Sequence, residues 1–236
     1  MNTYKLFASL MFFIITSSFS QNPSDYFSKA DIFFKTYVSN GKVDYSKIKS
    51  NPESLNALVA MAEEISVSKN NSKTYQAFYI NVYNISVIKG IIDNYPLKSP
   101  LEKPGFFDKM KYRVSGESLT LNDIENNKLR AEFNDARFHF VLVCGAIGCP
   151  PLINTAYLPD TLENQLQKQT KTALNNPNFI KVNANKVQLS EIFKWYKEDF
   201  VQEGNEINFI NGFRKHKIES KVKISYYSYN WNLNQQ

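Results

Sequence analysis

The sequence predicts a single α+β domain in which one central buried helix packs with a small, mostly antiparallel sheet. Helical segments and short hairpin strands alternate along the chain, with few signs of the β-α-β units that build parallel sheets. The longest helical segment is apolar nearly all round, as a fully buried helix should be. The chain has 236 residues, 43% of them hydrophobic, so it is long enough to bury a sizeable core.

Residues 1–20 have the pattern of a secretory signal peptide. Lys5 gives the positive start, residues 6–15 form an apolar run, and small side chains precede a cleavage site at Gln21. The apolar run is too short to cross a membrane, which takes about 20 residues. We therefore expect an exported protein, periplasmic or extracellular, with no membrane span after cleavage. The mature chain then divides into an N-terminal helical part over 21–70 and a core domain over 71–236.

The first half of the domain is predicted to be helical, with segments over 22–40, 51–66 and 72–96. Asn51 and Pro52 supply a cap and a proline at the first position of the second segment. The third segment carries apolar side chains nearly all round it, so we expect it to be the central buried helix.

The second half mixes hairpins with helices. Ser115 and Gly116 divide 111–121 into two short strands, and a second hairpin covers 179–190. The remaining periodic patterns predict helices over 122–133, 159–176, 190–200 and 207–217, and strands over 138–144 and 221–231.

Both cysteines of the chain and one of its two histidines lie in RFHFVLVCGAIGCPPL, residues 137–152. On a strand with a period of two, His139 and Cys144 point to opposite faces, and Cys144 joins the phenylalanines. Cys149 follows in a loop that can fold back over either face. A pair of His139 with Cys149 is therefore more feasible than a pair of His139 with Cys144.

Four alternatives stay open for these residues. Cys144 and Cys149 could form a disulfide, because exported proteins meet an oxidising compartment. Cys149 could instead be a thiolate nucleophile with His139 as its base. All three side chains could bind zinc, although the usual paired-cysteine motif is missing. Finally, the cysteines could be free and buried, with His139 a satisfied core residue.

A cysteine–histidine pair needs a third group to orient the imidazole, and three candidates lie elsewhere in the chain. Asn81 and Asn84 share one helix face at a spacing of three, and Glu125 lies near the start of its helix. The asparagines could equally bond to backbone groups nearby. Glu125 with Arg130 or Arg137 could make a buried ion pair that holds the helix against the strand.

The charge pattern does not indicate a nucleic-acid-binding protein. The formal net charge of +6 falls to +5 when Lys5 is removed with the signal peptide, and the lysines are scattered rather than clustered. We predict no metal and no cofactor, since phosphate-loop and H-E-x-x-H motifs are missing from the sequence. The sequence names no partner.

Five stretches of the chain share the order and spacing of motifs in one known family. They are YQAFYINVYN (75–84), LTLNDIENNKLR (119–130), RFHFVLVCGAIGCPPL (137–152), LSEIFKWYKEDF (189–200) and YNWNLN (229–234). Together they resemble the family catalogued as domain of unknown function 547. The resemblance covers roughly residues 70–200, with the closing strand as a further match.

The resemblance implies a bacterial exported protein with a common polar pocket but no established activity. The matching positions are Asn81, Tyr83, Asn84, Glu125, Arg130, Arg137, His139, Cys144, Cys149 and Pro150. The chain departs from the family in two places: Tyr79 stands where tryptophan is usual, and Asn230 stands where aspartate is usual. If that aspartate is a catalytic acid, this copy is impaired.

Two functional hypotheses follow. The first is a cysteine-dependent hydrolase or acyl-transfer enzyme with a papain- or transglutaminase-like arrangement. Its catalytic candidates are Cys149, His139, Asn81, Asn84 and Glu125, with Arg130 and Arg137 nearby. The second is a non-catalytic envelope or binding module with a structural Cys144–Cys149 disulfide.

Overall fold

Residues 22–202 and 204–236 are described by the structure, which is a computed structural model; the predicted signal peptide lies outside the described residues. The helices are α1 (Pro23–Tyr37), α2 (Tyr45–Ser50), α3 (Glu53–Glu64), α4 (Ser72–Asp93), α5 (Ala131–Phe133), α6 (Leu162–Asn175), α7 (Ile192–Trp195), α8 (Lys197–Phe200) and α9 (Glu206–Phe213). The strands are β1 (Val38–Ser39), β2 (Lys42–Val43), β3 (Tyr112–Val114), β4 (Glu117–Leu119), β5 (Lys181–Asn183), β6 (Lys186–Ser190) and β7 (Lys223–Tyr227). Short 3₁₀-helices cover Pro100–Glu102 and Ala136–Phe140, and a π-helix covers Asp123–Arg130.

Helix α4 is buried nearly all round and organises the core. Asn71 fixes its start, because the Asn71 side chain accepts a hydrogen bond from the backbone N–H of Thr74 at 3.4 Å. Helices α1, α2 and α3 pack on α4, and so does the π-helix. The ring of Phe78 lies against Tyr26 of α1, with 5.3 Å between ring centroids. The predicted central buried helix is confirmed, and the N-terminal helices share its core.

Small sheets lie around this core in the described residues. β1 with β2, β3 with β4 and β5 with β6 pair antiparallel, whereas β7 joins β6 in parallel. The parallel pair is possible because α7, α8 and α9 intervene between the two strands, and a crossover of that length lets the chain return in the same direction. The predicted α+β class, with one domain and mostly antiparallel strands, is confirmed.

The strand predicted over 138–144 is wrong. Asp135 accepts a hydrogen bond from the backbone N–H of Arg137 at 2.9 Å and starts a 3₁₀-helix over Ala136–Phe140. The backbone beyond it bonds to the side chain of Asn84 rather than to a neighbouring strand, which satisfies these buried groups without a sheet. The two faces assigned to His139 and Cys144 by strand alternation are wrong as well.

Other differences from the predicted elements concern where helices begin and end. Asp44 accepts from the backbone N–H of Lys47 at 3.0 Å and starts α2, a helix that the hydrophobic pattern did not predict. Asn51 does not cap α3, whose cap position is Pro52 without a side-chain bond. The segment 190–200 divides into α7 and α8.

Over the described residues, we find no helix both long and apolar enough to cross a membrane.

Candidate functional site

A cavity of about 210 Å³ collects most of the residues that the sequence singled out. Four parts of the chain meet around it: the loop after Ala136–Phe140, the π-helix, α7 and residues 229–236, which we call the C-terminal segment. We call it the aromatic pocket. Its walls are Tyr83, Phe107, Asn122, Glu125, His139, Leu142, Cys144, Cys149, Pro150, Ile192, Trp195, Tyr196, Tyr229 and Trp231.

A disulfide between Cys144 and Cys149 forms part of the pocket wall, with the two Cα atoms 6.4 Å apart. The hydroxyl of Tyr229 donates to Sγ of Cys149 at 3.0 Å and lies 3.1 Å from Sγ of Cys144. Burial raises the pKa of Tyr229, so this hydroxyl remains a donor at neutral pH. In the described part of the chain no cysteine is free.

Two glycines let the loop between the cysteines approach its neighbours closely. Gly145 has a φ of +83°, the left-handed conformation that side chains disfavour, and a Cβ there would lie 2.7 Å from Cδ1 of Ile91. A Cβ on Gly148 would lie 2.8 Å from the ring of Tyr229. The glycines of CGAIGC are therefore required by the backbone turn and by the packing of Tyr229.

The C-terminal segment is held against the same loop by backbone hydrogen bonds. The N–H groups of Ile147 and Gly148 donate to the carbonyls of Asn232 and Asn230, each at 2.8 Å. These bonds place Trp231 in the pocket wall. The side chain of Asn230 accepts from the N–H of Asn232 at 3.0 Å and is not part of that wall.

His139 is held by an acid that the sequence did not single out. Its Nε2 lies 2.6 Å from Oδ2 of Asp199, and the same oxygen accepts from Arg130 at 2.8 Å. Burial pushes the pKa of Asp199 upward, but hydrogen bonds and charges from His139 and Arg130 outweigh burial and hold this pKa well below its usual range. The His139 ring lies on Tyr196, with 4.1 Å between ring centroids. An ionised Asp199 thus fixes the orientation of the imidazole.

Glu125 is the acidic residue of the pocket wall, and only 7% of it is exposed. It lies in the π-helix, a rare form that is often found at functional sites. Burial raises the pKa of Tyr83 and Tyr196, and the charge of Glu125 and a hydrogen bond to its carboxylate raise both further. A carboxylate accepts about four hydrogen bonds, so the two hydroxyls leave room for another partner.

Asn81 and Asn84 bond to backbone groups and do not line the pocket. The amide of Asn81 donates to the carbonyl of Tyr157 at 2.7 Å and accepts from its N–H at 2.9 Å. Asn84 bridges the carbonyl of Val141 and the N–H of Val143, each at 2.9 Å. Both asparagines hold the loops that form the site, and neither is placed to orient His139.

The two arginines lie in different surroundings. Arg130 pairs with Asp199. The sequence suggested Glu125 as its ion-pair partner, or a position in the pocket. Arg137 binds Asp135 at 2.7 Å and also Glu163, away from the pocket wall. The ion pair suggested between Glu125 and an arginine is replaced by these pairs.

Sequence reasoning missed several side chains that complete the site. Asp199 and Tyr196 lie in LSEIFKWYKEDF, and Tyr229 and Trp231 lie in YNWNLN. Both stretches belong to the family-like motifs, but helix and strand periodicity does not single out any of these four side chains. The sequence signal that could have identified them as site residues is that they cluster in these two short motifs.

The arrangement offers binding chemistry more directly than bond-breaking chemistry. Aromatic faces, one buried carboxylate and an oriented imidazole surround a space for a small molecule. A disulfide sulfur is not a nucleophile, because the attacking species is the thiolate. Within residues 22–202 and 204–236, no three histidine, cysteine or acidic side chains are grouped so as to hold a metal ion.

Comparison with known proteins supports the resemblance to a family and names no activity. Residues 67–173 match the family model described as "Protein of unknown function, DUF547". No curated protein and no solved structure matches the chain. The matched range contains the disulfide, His139, Glu125 and both asparagines, whereas Asp199 and the C-terminal aromatic residues lie beyond it. The chain thus resembles the DUF547 family through the part that carries the disulfide and the π-helix.

Proposed function

We propose that this protein is an exported binding module whose Cys144–Cys149 disulfide braces the aromatic pocket around a small organic molecule. The observation that carries the proposal is the pairing of both sulfurs with each other and with Tyr229 in the pocket wall. Used in this way, the cysteines shape a binding surface and need no free thiolate. An oxidising compartment, periplasmic or extracellular, would keep the disulfide intact.

The size of the pocket supports a small ligand. Its volume of about 210 Å³ is below the range of about 300–1,000 Å³ for sites that hold drug-sized molecules. Six of its fourteen wall residues are aromatic, which suits a ligand that is bound through ring faces and one or two polar groups.

A fragment screen tests the proposal on the mature, oxidised protein. Both tryptophans of the chain, Trp195 and Trp231, line the pocket, so intrinsic fluorescence reports its occupancy. We expect fragments that change this fluorescence to lose binding in Asn122→Phe, which fills the pocket from an exposed position without a side-chain cap bond. Asn164→Phe, on the exposed side of α6, is the matched control and should bind normally. Equal binding by both variants would place the ligand elsewhere and contradict the proposal.

A cysteine-dependent hydrolase or acyl-transfer enzyme, with a papain- or transglutaminase-like arrangement, is the second candidate. The observation that favours it is that Cys149 and an Asp199-held His139 line one pocket. Such an enzyme would first need a thiol reductant to convert the disulfide into two thiols. The Cys149 thiolate would then attack an acyl carbon, His139 would pass its proton to the alcohol or amine that leaves, and water or an acceptor would cleave the resulting thioester.

One pair of measurements separates the two candidates. The binding module predicts that the non-reduced mature protein has the mass of an intact disulfide, and that reduced protein does not hydrolyse an activated ester faster than its Cys149→Ala variant. The hydrolase predicts reductant-dependent ester hydrolysis that Cys149→Ala abolishes and Cys144→Ala retains. The second pattern would overturn the binding module.

A further inference from the structure

The walls of the aromatic pocket differ in charge from the rest of the protein. The chain carries a formal net charge of +6, yet among the described residues no lysine or arginine belongs to the pocket wall. Glu125 is the acidic wall residue and is nearly fully buried. His139 is the basic side chain of the described wall, and its Nε2 faces Asp199, 2.6 Å from Oδ2. The buried carboxylate of Glu125 therefore makes the interior more favourable for a cation than for an anion.

The groups behind the wall do not cancel this charge. Arg130 is engaged by Asp199, so these two neutralise each other. Lys197 lies 3.8 Å from Glu206 rather than at the pocket. His139 faces Asp199 as well, and among the described residues Glu125 belongs to none of these ion pairs.

The aromatic residues of the wall are suited to hold a cation through their ring faces. Trp195, Tyr229 and Trp231 are mutual neighbours, with centroid separations of 5.0 Å, 5.9 Å and 4.8 Å. Tyr83, Tyr196 and Phe107 complete the aromatic walls. Tryptophan and tyrosine faces attract cations within about 6 Å of the ring centroid.

We infer that the aromatic pocket binds a small organic cation whose charge is on a methylated ammonium group. The inference rests on the proposed binding function and names its ligand class. A primary ammonium gives up three strong hydrogen bonds to water and needs acceptors in return. The carboxylate of Glu125 already accepts from Tyr83 and Tyr196, which leaves about two acceptor sites for the three N–H groups of a primary ammonium. A methylated ammonium loses less hydration and needs only the aromatic faces and the nearby negative charge.

Choline and a neutral molecule of the same shape test the charge directly. In 3,3-dimethylbutan-1-ol a carbon atom replaces the nitrogen of choline. We would titrate each into the mature, oxidised protein and follow tryptophan fluorescence and calorimetric heat. Choline should bind about 10-fold more tightly than the alcohol, as expected for cation–π attraction in a desolvated site. Ethanolamine, which keeps the charge without the methyl groups, should bind more weakly than choline.

Two variants locate the effect. Glu125→Gln should weaken choline about 10-fold and leave the affinity of the neutral alcohol unchanged, since only the charge differs. Because Glu125 is buried, we add Trp195→Leu, whose parent side chain is 45% exposed and can be replaced with little risk to folding. Trp195→Leu should weaken choline several-fold. Ile32→Ala, at an exposed position of α1 outside the pocket wall, is the control and should bind like the parent.

Two outcomes would overturn the inference. Equal affinities for choline and the neutral alcohol would remove the role of charge while leaving a small-molecule pocket in place. No response to choline up to about 10 mM would exclude even a weak ammonium site. The binding function itself depends separately on the fragment screen and its Asn122→Phe variant.

Discussion

At the scale of single residues, the site depends on one carboxylate that joins two basic side chains. Asp199 accepts from both His139 and Arg130, and Arg130 also lies over the ring of Tyr196 with 4.7 Å to its centroid. Removing Asp199 would free the imidazole and leave the guanidinium without its partner. This one carboxylate therefore affects both the stability of the fold and the shape of the pocket wall.

We expect Asp199→Asn to lower the free energy of unfolding at neutral pH by about 2 kcal/mol, the size of hydrogen bonds to a charged group. The pKa of Asp199 is depressed in the folded state, so its contribution is complete above the unfolded value, about 3.9, and is lost as pH falls through the folded value. The difference between parent and variant should therefore shrink in strong acid. Urea unfolding across this pH range measures it, and Glu63→Gln, at a half-exposed ion pair with Arg113, should change stability by less than about 1 kcal/mol.

Asn230 gives a second prediction at this scale. Its side chain accepts one hydrogen bond from the N–H of Asn232 and is exposed. An aspartate would accept the same bond, so Asn230→Asp should change stability by less than about 0.5 kcal/mol and leave pocket binding unaltered. A large gain in ester hydrolysis by reduced Asn230→Asp would instead support a lost catalytic acid.

At the scale of elements, the loop between the cysteines and the C-terminal segment form one unit. The loop supplies the disulfide and the two glycines that allow close packing, and the segment supplies Tyr229 and Trp231. An antiparallel bridge between Ala146 and Leu233 links them. Neither piece is a regular strand, and each is fixed by the other.

Gly148→Ala tests this unit. The added methyl group would lie 2.8 Å from the Tyr229 ring, which must move away from both sulfurs. We expect a loss of about 1–3 kcal/mol in the free energy of unfolding, typical of overpacking, together with altered tryptophan fluorescence. Gly116→Ala is the comparison, since a Cβ there meets nothing within 4 Å; its φ of +74° costs backbone strain but should leave the pocket fluorescence unchanged.

The sequence predicts the elements whose side chains repeat regularly and fails where single side chains satisfy the backbone. The apolar surface of α4 and the turn at Ser115–Gly116 were sufficient to place the central helix and one hairpin. The apolar run after Arg137 has the composition of a buried strand, but Asn84 takes its backbone bonds from a distance of 57 positions or more along the chain. Periodicity carries no information about such a partner. For the same reason the pocket residues Cys149, His139 and Glu125 could be nominated, but their neighbour Asp199 could not.

At the scale of the whole molecule, the C-terminal segment contacts both the N-terminal part of the chain and the loop between the cysteines. The last residues bond to β2, to the loop before Pro100 and to the loop between the cysteines, through Val43, Lys98 and Gly145. The N-terminal helices and the aromatic pocket are therefore connected by the same short segment. A substitution at either end of this connection should therefore alter the packing at the other end.

Substitutions at the hydrogen bond between Tyr45 and Asn234 test that connection. The Tyr45 hydroxyl donates to Oδ1 of Asn234 at 2.7 Å, across 189 positions of sequence, and both side chains are buried. We expect Tyr45→Phe and Asn234→Ala each to lower the free energy of unfolding by about 1–3 kcal/mol, because each leaves a buried polar group without its partner. In a double-mutant cycle the two losses should couple by about 1 kcal/mol, since the second change removes a bond already broken. Additive losses would show that the C-terminal segment is held independently of α2, and unchanged choline affinity in both variants would show that the pocket does not depend on this connection.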